Sequence, residues 1–61
     1  MLDNTNIATW YLHEGDRFRF DSTRVQEHVI VAILDDFFVY RDPVGRLQET
    51  DHQHVWIEEA E

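Results

Sequence analysis

The sequence predicts a small, mainly β domain of about five antiparallel strands. Residues 17–20 alternate arginine and phenylalanine with the period of two that is typical of a half-buried strand. Residues 25–40 are rich in strand-favouring apolar residues around a central Asp35-Asp36 pair. Residues 42–45, Asp-Pro-Val-Gly, have the composition of a type I turn. Together these patterns indicate successive strands joined by short turns.

The first twelve residues contain two unlike segments. Residues 1–6 are polar, and we expect them to be flexible, with the ordered chain starting at Ile7. Residues 7–12 include Trp10 and Tyr11 and predict either a short strand or an apolar arm.

A turn and a short strand follow. Residues 13–16, His-Glu-Gly-Asp, have turn composition. The alternation in 17–20 places Phe18 and Phe20 on an inward face and Arg17 and Arg19 on a solvated one.

The Asp35-Asp36 pair predicts a tight hairpin with a two-residue loop. Leu34 then lies opposite Phe37, and alternation assigns every other residue to a face. One face would carry Leu34, Phe37, Ala32, Val39 and Ile30, and the other Ile33, Phe38, Val31, Tyr40 and Val29. Both faces are apolar, whereas a solvated antiparallel sheet normally has one polar face. The second face therefore needs cover.

The C-terminal third supports two interpretations. Residues 46–50 predict a short strand with Leu47 inward. Thr50 with Gln53 fits a helix capping box, whereas residues 55–57, Val-Trp-Ile, favour a strand. We expect a helical turn at 51–54 followed by a final strand, with a short C-terminal helix as the alternative.

This order of strands and turns resembles an SH3-like small barrel. The resemblance rests on residues 15–20, the 25–40 hairpin and the Gly45-Arg46 turn, and it covers most of the chain. Such barrels include RNA-binding, peptide-binding and purely structural modules, so the resemblance implies no function by itself.

The composition is strongly acidic. The 61 residues include 13 acidic and five basic residues, every base is arginine, and the net charge is -8. An acidic chain without lysine resembles the proteins of extreme halophiles, the haloarchaea above all, and the alternative is an ordinary acidic protein that lacks lysine by chance. Molar salt shortens the Debye length to about 3 Å and screens the repulsion that this charge creates.

Size and composition limit the remaining classes. We expect one domain over residues 1–61 and no disulfide, since there is no cysteine. The start lacks the pattern of a signal peptide, and no apolar run reaches the length of a membrane span, so the sequence predicts a cytoplasmic protein without a membrane partner.

Enzyme and cofactor sites have little support. Ser22 is the only serine and lies in a predicted turn, and two glycines are too few for a phosphate loop. His52 and His54 would share a face in an extended segment, but two histidines make a weak metal motif. We expect no catalytic activity, cofactor or metal.

The leading hypothesis is an interaction module that binds itself or another protein through the second apolar face of the hairpin. The cover could come from the arm with Trp10 and Tyr11, from a helix with Trp56, or from another subunit, so a monomer and a homodimer are equally compatible with the sequence. The predicted interaction residues are Trp10, Tyr11, Phe37, Val39 and Trp56.

The alternative is a nucleic-acid-binding barrel with an arginine–aromatic surface of Arg17, Arg19, Arg41 and Tyr40. The negative net charge opposes a polyanion, and phosphate contacts weaken steeply as salt rises. Pairing of Arg17 and Arg19 with neighbouring carboxylates on a solvated face is the better-supported interpretation.

Overall fold

The computed structural model describes residues 2–21 and 26–60, and within them the chain is mainly β. The prediction of a mainly β domain is confirmed, with six strands in these residues in place of about five. The elements are β1 (Leu2–Ala8), the 3-10 turn η1 (Thr9–Tyr11), β2 (Arg17–Phe18), β3 (His28–Ile33), β4 (Phe37–Arg41), β5 (Leu47–Asp51) and β6 (His54–Ala60). No helix in the described residues is long and apolar enough to cross a lipid bilayer.

The strands of the described residues form two antiparallel sheets. One contains β1 and β6, and the other has the order β2-β3-β4-β5. The two sheets meet at an isolated bridge between Arg19 and Trp56. The backbone N–H of Arg19 donates to the Trp56 carbonyl at 2.7 Å, and the N–H of Trp56 donates to the Arg19 carbonyl at 2.8 Å. The residue after β2 therefore links the sheets at the backbone.

The chain enters the fold earlier than Ile7, where the sequence predicted the ordered segment to begin. Strand β1 starts at Leu2 and pairs with β6 along its whole length, from Leu2 opposite Ala60 to Ala8 opposite His54. This pairing supplies the polar N-terminal residues with hydrogen-bond partners that no local pattern reveals. The strand ends at Ala8, and Trp10 and Tyr11 lie in η1.

The predicted helical turn at 51–54 is wrong, and so is the alternative of a C-terminal helix. Residues up to Asp51 remain in β5, and His54 already begins β6, which confirms the predicted final strand. The backbone N–H of Thr9 donates to the Gln53 carbonyl at 2.9 Å. Pairing with β1 and this contact outweigh the local capping pattern.

The tight hairpin between β3 and β4 forms as predicted near its loop. Ile33 lies opposite Phe38 and Ala32 opposite Val39. A β-bulge between Ile30 and Ala32 then shifts the register, so that Ile30 lies opposite Tyr40. The extra residue turns Ile30 to the face of Phe38, and Val29 to the face of Val39, which corrects the predicted alternation beyond the bulge.

The core lies on one face of the four-stranded sheet and against β6. Its buried residues are Leu12, Phe18, Ile30, Phe38 and Val55, and Ile7, Ile33, Tyr40 and Ile57 pack against them. Phe18 is inward as predicted, whereas Phe20 is partly exposed. The prediction of an inward Leu47 is wrong, because Leu47 pairs with Arg41 on the opposite face and is 59% exposed.

The predicted turn between β4 and β5 is confirmed. The Gly45 N–H donates to the Asp42 carbonyl at 2.9 Å, and the Asp42 carboxylate accepts from the backbone N–H groups of Val44 and Arg46. Gly45 has a φ of 98°, as expected after a type I turn in a hairpin. These hydrogen bonds, the one from Arg46 first, hold the pKa of the Asp42 carboxyl below its ordinary value.

Candidate protein interaction surface

The four-stranded sheet has a second face, here called the outer face, directed away from the core. Residues directly opposite each other in antiparallel strands share a face, so the register defines its members. They are Arg17, Val29, Ala32, Phe37, Val39, Arg41, Leu47, Glu49 and Asp51.

The middle of the outer face is apolar and half-buried. Val29, Ala32, Phe37 and Val39 keep part of their surface exposed. None of the four is among the described residues that form the core cluster or pack against it. Leu47 extends this apolar strip at the edge strand β5. The core lies on one side of these strands, and the outer face on the other side is also apolar. The outer face thus has the composition of a contact surface.

Charges are separated along the strands of the outer face. Arg17 and Arg41 flank Val29 in one cross-strand row, next to the turn that joins β4 and β5. At the opposite end, Phe37 of β4 lies across from Asp51, next to the Asp35-Asp36 loop. The Cα atoms of Phe37 and Arg41 are four residue steps apart, which is about 13 Å at the usual rise of a strand. One end is therefore cationic and the other anionic.

The structure brings together two of the five predicted interaction residues. Phe37 and Val39 lie on the outer face of β4. Trp10 lies in η1 and stacks on His52, with ring centroids 4.1 Å apart and planes at 19°. Tyr11, also in η1, is 72% exposed. Trp56 is half-buried in β6, in the other sheet.

His52 is held by hydrogen bonds at both ring nitrogens. Its Nε2 lies 2.6 Å from the Leu34 carbonyl oxygen, which only accepts, so Nε2 carries the proton. Its Nδ1 then accepts from the hydroxyl of Thr9 at 2.8 Å. The same hydroxyl oxygen accepts from the Gln53 N–H at 3.1 Å.

A metal at His52 and His54 would need a free ring nitrogen on each. Both nitrogens of His52 are engaged within the protein, and a metal would have to displace one of these hydrogen bonds. His54 is exposed at the start of β6. Within residues 2–21 and 26–60, no three His, Cys, Asp or Glu side chains are grouped so that they could hold a metal ion together.

The four residues of the nucleic-acid alternative lie in three different places. Arg17 and Arg41 share the outer face. Tyr40 packs against the core, with its ring 5.6 Å from that of Phe38. Arg19 is buried rather than solvated, which corrects its predicted exposure.

Arg19 has acidic and amide partners within the fold. Its Nη1 lies 3.2 Å from Oε1 of Glu58, whose side chain is 40% exposed. Its Nη2 donates to the side-chain carbonyl of Asn4. The predicted pairing of Arg19 with a carboxylate is present, but on a buried guanidinium. Such a buried, paired group is poorly placed to bind a phosphate.

His28 belongs to an aromatic cluster that the sequence did not indicate. Its ring contacts Phe18, Phe20 and Tyr40 at centroid distances of 5.3, 4.8 and 5.4 Å. Burial lowers the pKa of His28 below its ordinary value, and a hydrogen bond with the Phe18 backbone and the charge of Asp42 partly oppose this change. His28 Nδ1 is buried without a hydrogen-bond partner in the described residues.

Sequence reasoning missed the opposed charges of the outer face. From the sequence, Arg41 was assigned only to the nucleic-acid alternative, and Glu49 and Asp51 were assigned to no surface. Their relationship depends on the β4–β5 register, which the Asp42–Gly45 turn sets. Comparisons with protein-family models, with curated proteins and with solved structures found no match for this chain.

Proposed function

We propose that this chain is a non-enzymatic protein-interaction module that binds its partner through the outer face of the four-stranded sheet. The observation that carries the proposal is the strip of Val29, Ala32, Val39 and Phe37, which is half-exposed and separate from the core. The exposed face of an antiparallel sheet is normally polar. An apolar one is typical of a surface that another molecule covers.

The chemistry of the surroundings favours a protein partner. Protein interfaces combine an apolar centre with a polar and charged rim. Here Arg17 and Arg41 lie at one end of the apolar strip, and Asp51 lies at the other. If the acidic composition reflects a halophilic origin, high salt would weaken charge contacts and strengthen apolar association.

Nucleic-acid binding has less support. Of its four predicted residues, Arg17 and Arg41 share the outer face, whereas Tyr40 packs in the core and Arg19 is paired with Glu58. The net charge of -8 also repels a polyanion. Loss of RNA or DNA binding in Arg17→Ala, measured at the working salt, would be the result that favours this alternative.

The proposed function is tested by co-purification with tagged variants at native salt. Val39→Asp places a charge in the middle of the apolar strip. Val44→Asp is the matched control, because Val44 is 79% exposed in the turn between β4 and β5. We expect one protein, the chain itself or another, to co-purify in stoichiometric amount with the wild type and the control but not with Val39→Asp.

Circular dichroism must show that Val39→Asp is folded before this result is interpreted. If that variant is unfolded, Val39→Thr, which replaces one methyl group with a hydroxyl and keeps the shape of the side chain, takes its place. Recovery of the same partner with wild type and folded variant would contradict the proposal, as would a wild type that is monomeric and purifies without a partner.

A further inference from the structure

We infer that the partner of the outer face is a second copy of this chain, related by a two-fold axis that runs across the strands. The inference rests on the proposed function and names its partner. Its basis is the charge separation between Arg41 at one end of β4 and Asp51 opposite the other end.

A two-fold axis constrains which charges meet. In a symmetric dimer the same patch is used twice, so the contact of residue i with residue j occurs two times. An axis along the strands would stack the arginine end on the arginine end. An axis across the strands reverses one copy, and Arg41 of each copy then faces the Asp51 end of the other. Charge complementarity therefore selects the second arrangement.

The same arrangement covers the apolar strip. Val39 lies midway along β4 between Arg41 and Phe37, near the expected axis, and packs against its own counterpart. Ala32 lies across from Val39 on β3, and Val29 lies across from Arg41. Glu49 lies across from Val39 on β5, the edge strand of this sheet. An axis across the strands near Val39 also passes Glu49, so the two Glu49 carboxylates face each other at the exposed edge of the interface, where solvent and salt screen their repulsion.

The area of the outer face indicates how tightly two copies should bind. The four strands lie about 4.8 Å apart; β2 has two residues and β3, β4 and β5 have six, five and five, so the face measures at most roughly 19 by 17 Å. This is smaller than the surface that each partner of a typical stable complex contributes. The dimer should accordingly be weak, and its population should depend on protein concentration.

Sedimentation velocity over a concentration series tests the inference, at the lowest salt at which the wild type is folded. In the proposed dimer, residue 41 of each copy lies near residue 51 of the other. In a dimer of Arg41→Asp or of Asp51→Arg, both of these contacts therefore join like charges. Each variant alone should dissociate at least about tenfold more readily than the wild type. An equimolar mixture of the two should recover association, because in the mixed dimer both contacts again join opposite charges.

A control separates this effect from net charge. Glu14→Arg changes the net charge as Asp51→Arg does, but Glu14 is an exposed residue of the turn before β2. It should leave the dimer essentially unchanged. Recovery in the mixture, with unchanged Glu14→Arg, supports the two-fold arrangement. Folded single variants that associate like the wild type, or a mixture without recovery, overturn it.

Sedimentation and co-purification together distinguish failure of the second-copy inference from failure of the proposed function. A wild type that stays monomeric at every concentration, yet retains a different stoichiometric partner that Val39→Asp loses, contradicts the second copy and leaves the interaction module standing. A nucleic acid as that partner contradicts both proposals. A monomer without any partner contradicts both as well.

Discussion

The hydroxyl oxygen of Thr9 lies 2.8 Å from Nδ1 of His52, 43 residues away in the chain. Thr9 is fully buried, and its oxygen also accepts the backbone N–H of Gln53. The turn η1 is thereby tied to the connection between β5 and β6. This is the segment where the sequence predicted a helical turn.

Replacing Thr9 with valine should destabilise the fold by about 1–3 kcal/mol. The change keeps the shape of the side chain but removes the donor to His52 and the acceptor of the Gln53 N–H. Urea unfolding at high salt measures the free energy. In a His52→Ala background the same change should cost less, and an equal cost in both backgrounds would contradict the coupling of Thr9 to His52.

The stability of the protein should fall as the pH drops below about 6.5, partly because of His28. Its folded pKa is lower than the ordinary value of 6.5, so between these two values the unfolded chain binds a proton that the folded chain does not. Stability therefore rises with pH in this window. His28→Phe should reduce the loss between pH 7.5 and 5.5 measured by urea unfolding.

The other three histidines are present in both proteins, so the comparison isolates His28. An equal loss of unfolding free energy in wild type and His28→Phe would show that the aromatic cluster does not disfavour the charged imidazole.

The hairpin shows how far the sequence determined the fold. The Asp35-Asp36 pair predicted the loop, and the pairing of Ile33 with Phe38 followed from it. The bulge between Ile30 and Ala32 was not predictable. Every residue around it is apolar, so the sequence shows no change in pattern where the alternation shifts by one residue. The strand β1 was missed for a different reason, since its polar residues are ordered by β6 at the far end of the chain.

The candidate site was predicted in part. Phe37 and Val39 were identified because two apolar faces on one hairpin cannot both line the same core. Trp10 and Trp56 were included because the N-terminal arm and a C-terminal helix that carry them could cover the second face, but their positions depend on His52 and on the bridge to Arg19. These are long-range contacts that a single sequence does not encode in any local pattern. The resemblance to SH3-like barrels stays a prediction.

Replacing Gly45 with alanine should cost about 1–2 kcal/mol. Gly45 has a φ of 98°, a backbone conformation that residues with a side chain rarely adopt. An added Cβ would meet no atom within 4 Å. The cost is therefore that of the backbone alone. Thermal or urea unfolding measures it, with Val44→Ala in the same turn as the control. A Gly45→Ala variant as stable as Val44→Ala would contradict this account.

Stability should increase between about 0.1 M and 1 M KCl, where the Debye length falls from roughly 10 to 3 Å. The net charge of -8 on 61 residues repels itself in the compact state, and screening removes part of that cost. The midpoint of thermal unfolding is the measurement. A midpoint that is constant or falls with KCl would contradict the proposed adaptation to high salt.

The most direct measurement of the central claim is a dilution series followed by methyl NMR. If the outer face binds a second copy, the methyl resonances of Val29, Ala32 and Val39 shift with concentration. Those of Val55, which is fully buried in the core, and of Val44 in the turn stay constant. Constant resonances across the outer face, or shifts confined to other surfaces, would contradict self-association through this sheet.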